Sequence, residues 1–233
     1  MKKFLIALVV VVGLLVAADF GARALAESRA GEALAQRAGV TTAPEVDVGG
    51  FPFLTQAIAG EYEHVTVSLA DAELGGVPMS GTVELYGVVL PLSEVLSGSI
   101  TSLTADRSTV VARIPSADFV EALGLPGIRL SAGPVDAVRI STTVTVGAQT
   151  FPVVGDATVA IVDGTLSISA QPSEVGDTDI STVPEAVASA ATAALSVSIP
   201  LTGLPVDVQT AEVAVDGTDV VITATTGAVD FQL

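Results

Sequence analysis

Residues 138–146 read Val-Arg-Ile-Ser-Thr-Thr-Val-Thr-Val. In an extended chain Val138, Ile140, Val144 and Val146 share one side, and Arg139, Ser141, Thr143 and Thr145 the other. A period of two is the signature of a half-buried antiparallel strand. Residues 61–69 repeat it, setting Tyr62, His64, Thr66 and Ser68 against Val65, Val67 and Leu69. Two Asp-Gly pairs sit between strand-like runs: Asp163-Gly164 between 158–162 and 165–169, and Asp216-Gly217 between 211–215 and 219–225. Both are hairpin signals. Short helical segments interrupt the strands at 53–59, 92–96, 116–123 and 182–195. Ser93, Ser116 and Thr182 are their cap candidates, and Pro184 and Glu185 suit a first helical turn. Strand ends run into proline corners at Leu90-Pro91-Leu92, Ile114-Pro115-Ser116 and Ile199-Pro200-Leu201. The polar stretch 171–181 reads as a connection between elements rather than a boundary between domains. The fold class expected is α+β and β-rich: a long curved antiparallel sheet with helices laid against it.

Composition narrows the function. Half of the 233 residues are apolar, yet only 4% are aromatic and Trp is absent. The core is therefore built from Val, Ile, Leu and Ala, a mix that favours strands when Thr is abundant. Such small residues on a curved sheet leave an elongated cavity or close into a dry core, and on composition the dry core is the stronger reading. The chain has no Cys, one His and no Asn. That excludes disulfides, a Cys/His zinc site and N-glycosylation. The formal charge is −17, and both lysines, Lys2 and Lys3, stand at the N-terminus. The rest carries seven Arg against 26 acidic residues. Such a surface repels nucleic acid, and it gives no electrostatic hold on an anionic bilayer.

Lys2-Lys3 precede an unbroken apolar run, residues 4–18. A positive start and a 15-residue apolar stretch fit a secretory signal. Cleavage sites of small residues occur at Val16-Ala17-Ala18, before Asp19, and at Ala24-Leu25-Ala26, before Glu27. The Ala-rich residues 19–37 continue in helix towards Gly39, so an uncleaved anchor with a stalk is the equal alternative. The organisation expected is a signal peptide or signal anchor at 1–18, a helix at 19–38 and a β-rich lipid-binding domain at 39–233. Either way the bulk of the chain is exported.

From Gly49-Gly50-Phe51-Pro52-Phe53-Leu54-Thr55-Gln56 the sequence resembles the LmeA-like family of actinobacterial envelope proteins, named for a factor in lipomannan elongation. The resemblance continues through Leu90-Pro91-Leu92-Ser93, Leu96-Ser97-Gly98, Thr104-Ala105-Asp106-Arg107, Ala122-Leu123-Gly124-Leu125-Pro126-Gly127 and Pro200-Leu201-Thr202-Gly203-Leu204-Pro205. It implies a phospholipid-binding protein of the periplasm-like space or outer face of the plasma membrane. The implied fold is a tubular lipid-binding (TULIP-like) domain, in which a curved sheet wraps a helix around an apolar tunnel. It carries over no catalytic residue and no cofactor.

The candidate site follows from scarcity of charge. Arg107, Arg113, Arg129 and Arg139 are the only cations beyond the N-terminal helix. Each is a candidate to meet a lipid phosphate, which a guanidinium binds in bidentate fashion, or else pairs with a carboxylate. Arg107, inside the family-like block, is the first choice. Phe51, Pro52, Phe53 and Leu54, after two glycines, form a candidate cavity gate or membrane-facing tip, or else supply scarce large core residues. His64 is the only imidazole, and no Gly-x-Ser-x-Gly elbow accompanies it. No EF-hand spacing occurs, so no metal site and no catalytic residue is expected. The expected activity is non-catalytic binding of phospholipid, or of a lipid-linked glycan precursor, in support of lipoglycan assembly. Its partners are phospholipid, the membrane and envelope glycosyltransferases. The alternative is a closed-core module that scaffolds those glycosyltransferases.

Overall fold

The computed structural model describes residues 2–38, 40, 42–74, 76–97, 102–125, 127–134, 137–162, 165–176, 178–195, 197–200 and 210–232. The protein is β-rich and antiparallel with a few helices. Its elements are α1 (Lys2–Ala38), β1 (Glu45–Val48), α2 (Phe53–Ala59), β2 (Glu61–Leu74), β3 (Val77–Val89), α3 (Leu92–Ser97), β4 (Ser102–Ala105), β5 (Arg107–Pro115) and α4 (Ser116–Ala122). Then follow β6 (Arg129–Ala132), β7 (Val138–Val146), β8 (Gln149–Val162), β9 (Thr165–Val175), β10 (Thr178–Asp179), α5 (Glu185–Leu195), β11 (Val197–Pro200), β12 (Thr210–Asp216), β13 (Asp219–Thr226) and β14 (Val229–Gln232). The chain forms two compact units. Unit 1 comprises Met1–Ala72, Thr82–Thr109 and Gly227–Leu233; unit 2 comprises Glu73–Gly81 and Val110–Thr226.

In unit 1, β1 pairs with β2 from Glu45↔Ser68 to Val48↔Val65, and β14 pairs with β4 from Val229↔Ala105 to Gln232↔Ser102. Val46, Val48, Phe53, Ala57, Tyr62, Leu85, Val88, Leu90 and Ala105 form its core together with Ala26 of α1. Tyr62 therefore leaves the polar side that alternation gives it and packs its ring 6.3 Å from that of Phe53. The helix α1 changes character along its length. Its large apolar residues from Phe4 to Val16 are exposed. From Ala22 on, Ala22, Ala26, Ala30 and Leu34 recur every four residues and pack against the core, as one helix face must. Small residues let β1 approach closely: a Cβ on Gly31 would lie 2.6 Å from the Pro44 carbonyl oxygen.

Unit 2 is a ladder of longer strands. β7 pairs with β8 from Val138↔Ala157 to Val146↔Gln149, β8 with β9, and β12 with β13. Val138, Ile140, Val153, Ala157, Val175, Ala211, Val215, Val220 and Ala224 supply the strand side of its core. Over them lies α5, which buries Val187, Ala191 and Leu195, again spaced by four. Gly155 marks a shift of register between β8 and β9. A Cβ there would meet the Gln171 carbonyl oxygen at 2.7 Å and Leu195 Cδ1 at 2.8 Å. Only glycine lets the strand and α5 close at that point.

The helices lie close to the expected positions, but their caps differ. Pro115 holds the N-cap position of α4, and the Ser116 hydroxyl donates instead to the Thr218 carbonyl at 2.6 Å. Thr182 ends a 3-10 turn over Ile180–Thr182 and donates to the Asp179 carbonyl; α5 begins three residues later. Residues 171–175 of the polar stretch continue β9. The β12–β13 turn is Gly217-Thr218, since Asp216 pairs with Asp219, and Gly217 takes φ 64°. Residues 163–164 lie outside the described residues, although Val162 pairs with Thr165 on either side of them.

Candidate functional site

The Gly49–Leu54 loop splits its apolar residues. Phe51 is 63% exposed and Pro52 is exposed, whereas Phe53 is 2% exposed in the unit 1 core and Leu54 is half-buried against it. Gln56 fixes the turn. Its side-chain amide donates to the Gly49 carbonyl at 3.1 Å, and its side-chain oxygen accepts from the Glu63 backbone N–H at 2.9 Å. Gly50, at φ 90°, leaves room for that amide, which a Cβ would meet at 2.6 Å. The backbone N–H groups of Phe53 and Leu54 donate to the Asp19 carboxylate at 3.0 and 2.7 Å. A residue 34 positions earlier thus caps α2, in place of a side chain of its own loop.

Asp19 begins a second stripe on α1. Four residues on, Arg23 bonds Glu27 through Nε at 2.7 Å and Asp47 through its terminal nitrogen at 2.6 Å. Glu27 also accepts from the Val48 N–H at 2.9 Å. Asp19 is only 5% exposed, so its charge is satisfied by peptide groups rather than by water. Sequence reasoning missed Asp19 and Gln56. Asp19 stood out solely as the first residue after a cleavage site.

The four candidate arginines have different surroundings. Arg139 holds Asp156 with two bonds, at 3.0 and 3.3 Å, and that carboxylate raises the guanidinium pKa further. Arg113 pairs with Asp216 at 3.0 Å. Arg129 is exposed at the start of β6, opposite Ser141. Arg107 lies over the ring of Tyr86, 4.4 Å from its centroid, and has no carboxylate within ion-pair distance among the described residues. On the other side Tyr86 stacks on His64, with centroids 4.5 Å apart and planes at 18°. The Tyr86 hydroxyl donates to Glu84 at 3.1 Å. That bond raises the phenol pKa, and Arg107 opposes it. His64 Nε2 is 3.4 Å from the Thr66 hydroxyl. The structure thus brings Arg107, Tyr86 and His64 together in unit 1, and does not bring Arg107 to Phe51 by any described contact. The guanidinium in this stack offers N–H donors suited to an anion's oxygens.

In unit 2 an open depression of about 350 Å³ is lined by Asp156, Thr158, Gln171 and Ser173 among others. Ala137 and Pro172 complete a lining that mixes polar and apolar groups. No group of three His, Asp or Glu placed to hold a metal occurs among the described residues.

These features define a β-rich antiparallel protein with a long apolar N-terminal helix that is compatible with a signal or anchor. The model of the LmeA-like phospholipid-binding family matches residues 17–225, and the chain belongs to that family. No curated protein and no solved structure matches the chain.

Proposed function

We propose that the protein binds phospholipid without catalysis at the outer face of the plasma membrane, held there by α1, and that it serves envelope lipid or lipoglycan assembly. Family membership over residues 17–225 carries this reading. The one described helix long and apolar enough to cross a membrane, within 2–37, supports the tether. Residues 39–233 act as the lipid-binding part. Acyl chains lie in an elongated apolar cavity of a tubular lipid-binding fold, where each buried methylene contributes roughly 0.8 kcal/mol. Arg107, raised on Tyr86, meets the headgroup phosphate. Arg113 and Arg139 are already engaged by carboxylates.

Native mass spectrometry tests this on the full chain, purified in detergent and offered isotope-labelled phospholipid. Stoichiometric retention is expected. Arg107→Ala weakens it roughly 10- to 100-fold, as expected for the loss of a hydrogen bond to a charged group; Arg113→Ala changes it little. A folded chain that retains no lipid would sink the proposal and turn attention to glycosyltransferase partners.

A further inference from the structure

The exposed large hydrophobic residues of this protein are not scattered. Among the described residues every one belongs to unit 1: the run from Phe4 to Val16, then Phe20, Leu25, Phe51, Ile58, Val89 and Leu96. Phe20 and Phe51 touch, with ring centroids 6.3 Å apart. Ile58, on α2, is 86% exposed, and both α2 and α3, which carries Leu96, pack against α1. Single exposed apolar residues are ordinary, but a set continuous with a bare apolar helix marks an interaction surface.

The occupant follows from the length of that helix and from Asp19. Fifteen apolar residues span about 22 Å at 1.5 Å each, short of the roughly 30 Å hydrocarbon layer. A helix whose apolar run is short is accommodated by local thinning of the bilayer, which holds the residues that follow the run at the interface. Those residues are Asp19 and Phe20. A bare carboxylate would resist that depth, but Asp19 is buried and accepts from the Phe53 and Leu54 N–H groups. The same contact places Phe51 beside Phe20. With a chain charge of −17, attraction to anionic lipid supplies no hold, so the contact is apolar.

We propose that unit 1 docks on the lipid bilayer through an apolar collar around α1, made of Phe20, Phe51, Ile58 and Leu96, with Asp19 sealed inside it. Phe and Leu are usual on the apolar face of a segment lying at the headgroup–acyl boundary. This rests on the reading of α1 as the membrane tether, and the experiment separates the two.

The chain contains no Trp, so a single introduced Trp is an unambiguous probe. Full-length Leu14→Trp, Phe51→Trp and Ile58→Trp are reconstituted in phosphatidylcholine vesicles, with and without dibrominated acyl chains. Bromine quenching of Leu14→Trp reports the tether. Phe51→Trp and Ile58→Trp are expected to shift their emission to the blue and to lose fluorescence in brominated lipid. All three positions are exposed, so the substitutions leave the core intact. Quenching at Leu14→Trp without quenching at Phe51→Trp and Ile58→Trp overturns the collar and keeps the tether. No quenching at Leu14→Trp overturns both. A blue shift at position 51 that grows with protein concentration and is indifferent to bromine assigns the surface to a second copy of the chain, and also overturns the proposal.

Discussion

Tyr86 is the residue on which the charges of unit 1 converge. Glu84 accepts its proton-bearing hydroxyl and stabilises the neutral phenol, while Arg107 favours the phenolate. The first effect is larger, so the phenol ionises at higher pH folded than unfolded. The stability this contributes is present below the unfolded tyrosine value, about 10, and is lost as pH rises through the folded one. Ultraviolet titration in a Tyr62→Phe background, which removes the other phenol, should show Glu84→Gln lowering the pKa and Arg107→Ala raising it. If Arg107→Ala leaves the titration unmoved, the guanidinium does not sit over the ring in solution, and its candidacy for the phosphate weakens with it. Sequence alone singled out Arg107 because it lies in a family-like block. It could not show that Tyr86 and His64 stand beside it, because they come from β3 and β2 and meet only across the sheet.

At the scale of elements, Gly155 couples a strand to a helix. Its missing Cβ lets β8 pass the Gln171 carbonyl, beside the bulge that Ser173 makes in β9, and Leu195 of α5. Gly155→Ala is expected to destabilise unit 2 by about 1–3 kcal/mol through overpacking. Leu195→Ala should cost about 2–5 kcal/mol by opening a cavity in the core. Denaturant titration of both, and of the double variant, checks the coupling: Leu195→Ala should relieve part of the Gly155→Ala cost, and full additivity would show that the two do not meet. The strands themselves were legible. Val138–Val146 has the bounds its alternation gave, because one buried side fixes the period. The bulge was not legible, since a glycine between Val154 and Asp156 gives no sign of which carbonyl it must clear. The caps were misread for a similar reason: Ser116 and Thr182 are good local acceptors, yet both hydroxyls donate to carbonyls instead.

At the scale of the whole chain, the open question in the sequence was whether the apolar leader is cut, and where. The two small-residue sites looked alike, because cleavage preference is local. The fold separates them. A cut after Ala18 leaves Asp19 in place on the α2 N-terminus and keeps the Ala22, Ala26, Ala30 and Leu34 stripe. A cut after Ala26 removes the Asp19 cap, the Arg23 bonds to Glu27 and Asp47, and buried Ala26 itself. Two backbone N–H groups would then lose their acceptor, at about 1–3 kcal/mol each where water does not replace it, and core area would be lost besides. Asp19→Asn keeps the shape and removes the charge, so it should cost less than Asp19→Ala, which should cost about 1–3 kcal/mol. A chain beginning at Glu27 should therefore unfold at clearly lower denaturant than one beginning at Asp19, and intact mass of the protein from a native-like host should show residues 19–26 retained. Equal stability of the two truncated chains would mean that the first docked turns of α1 add nothing to the head; α1 would then be a leash rather than a part of unit 1.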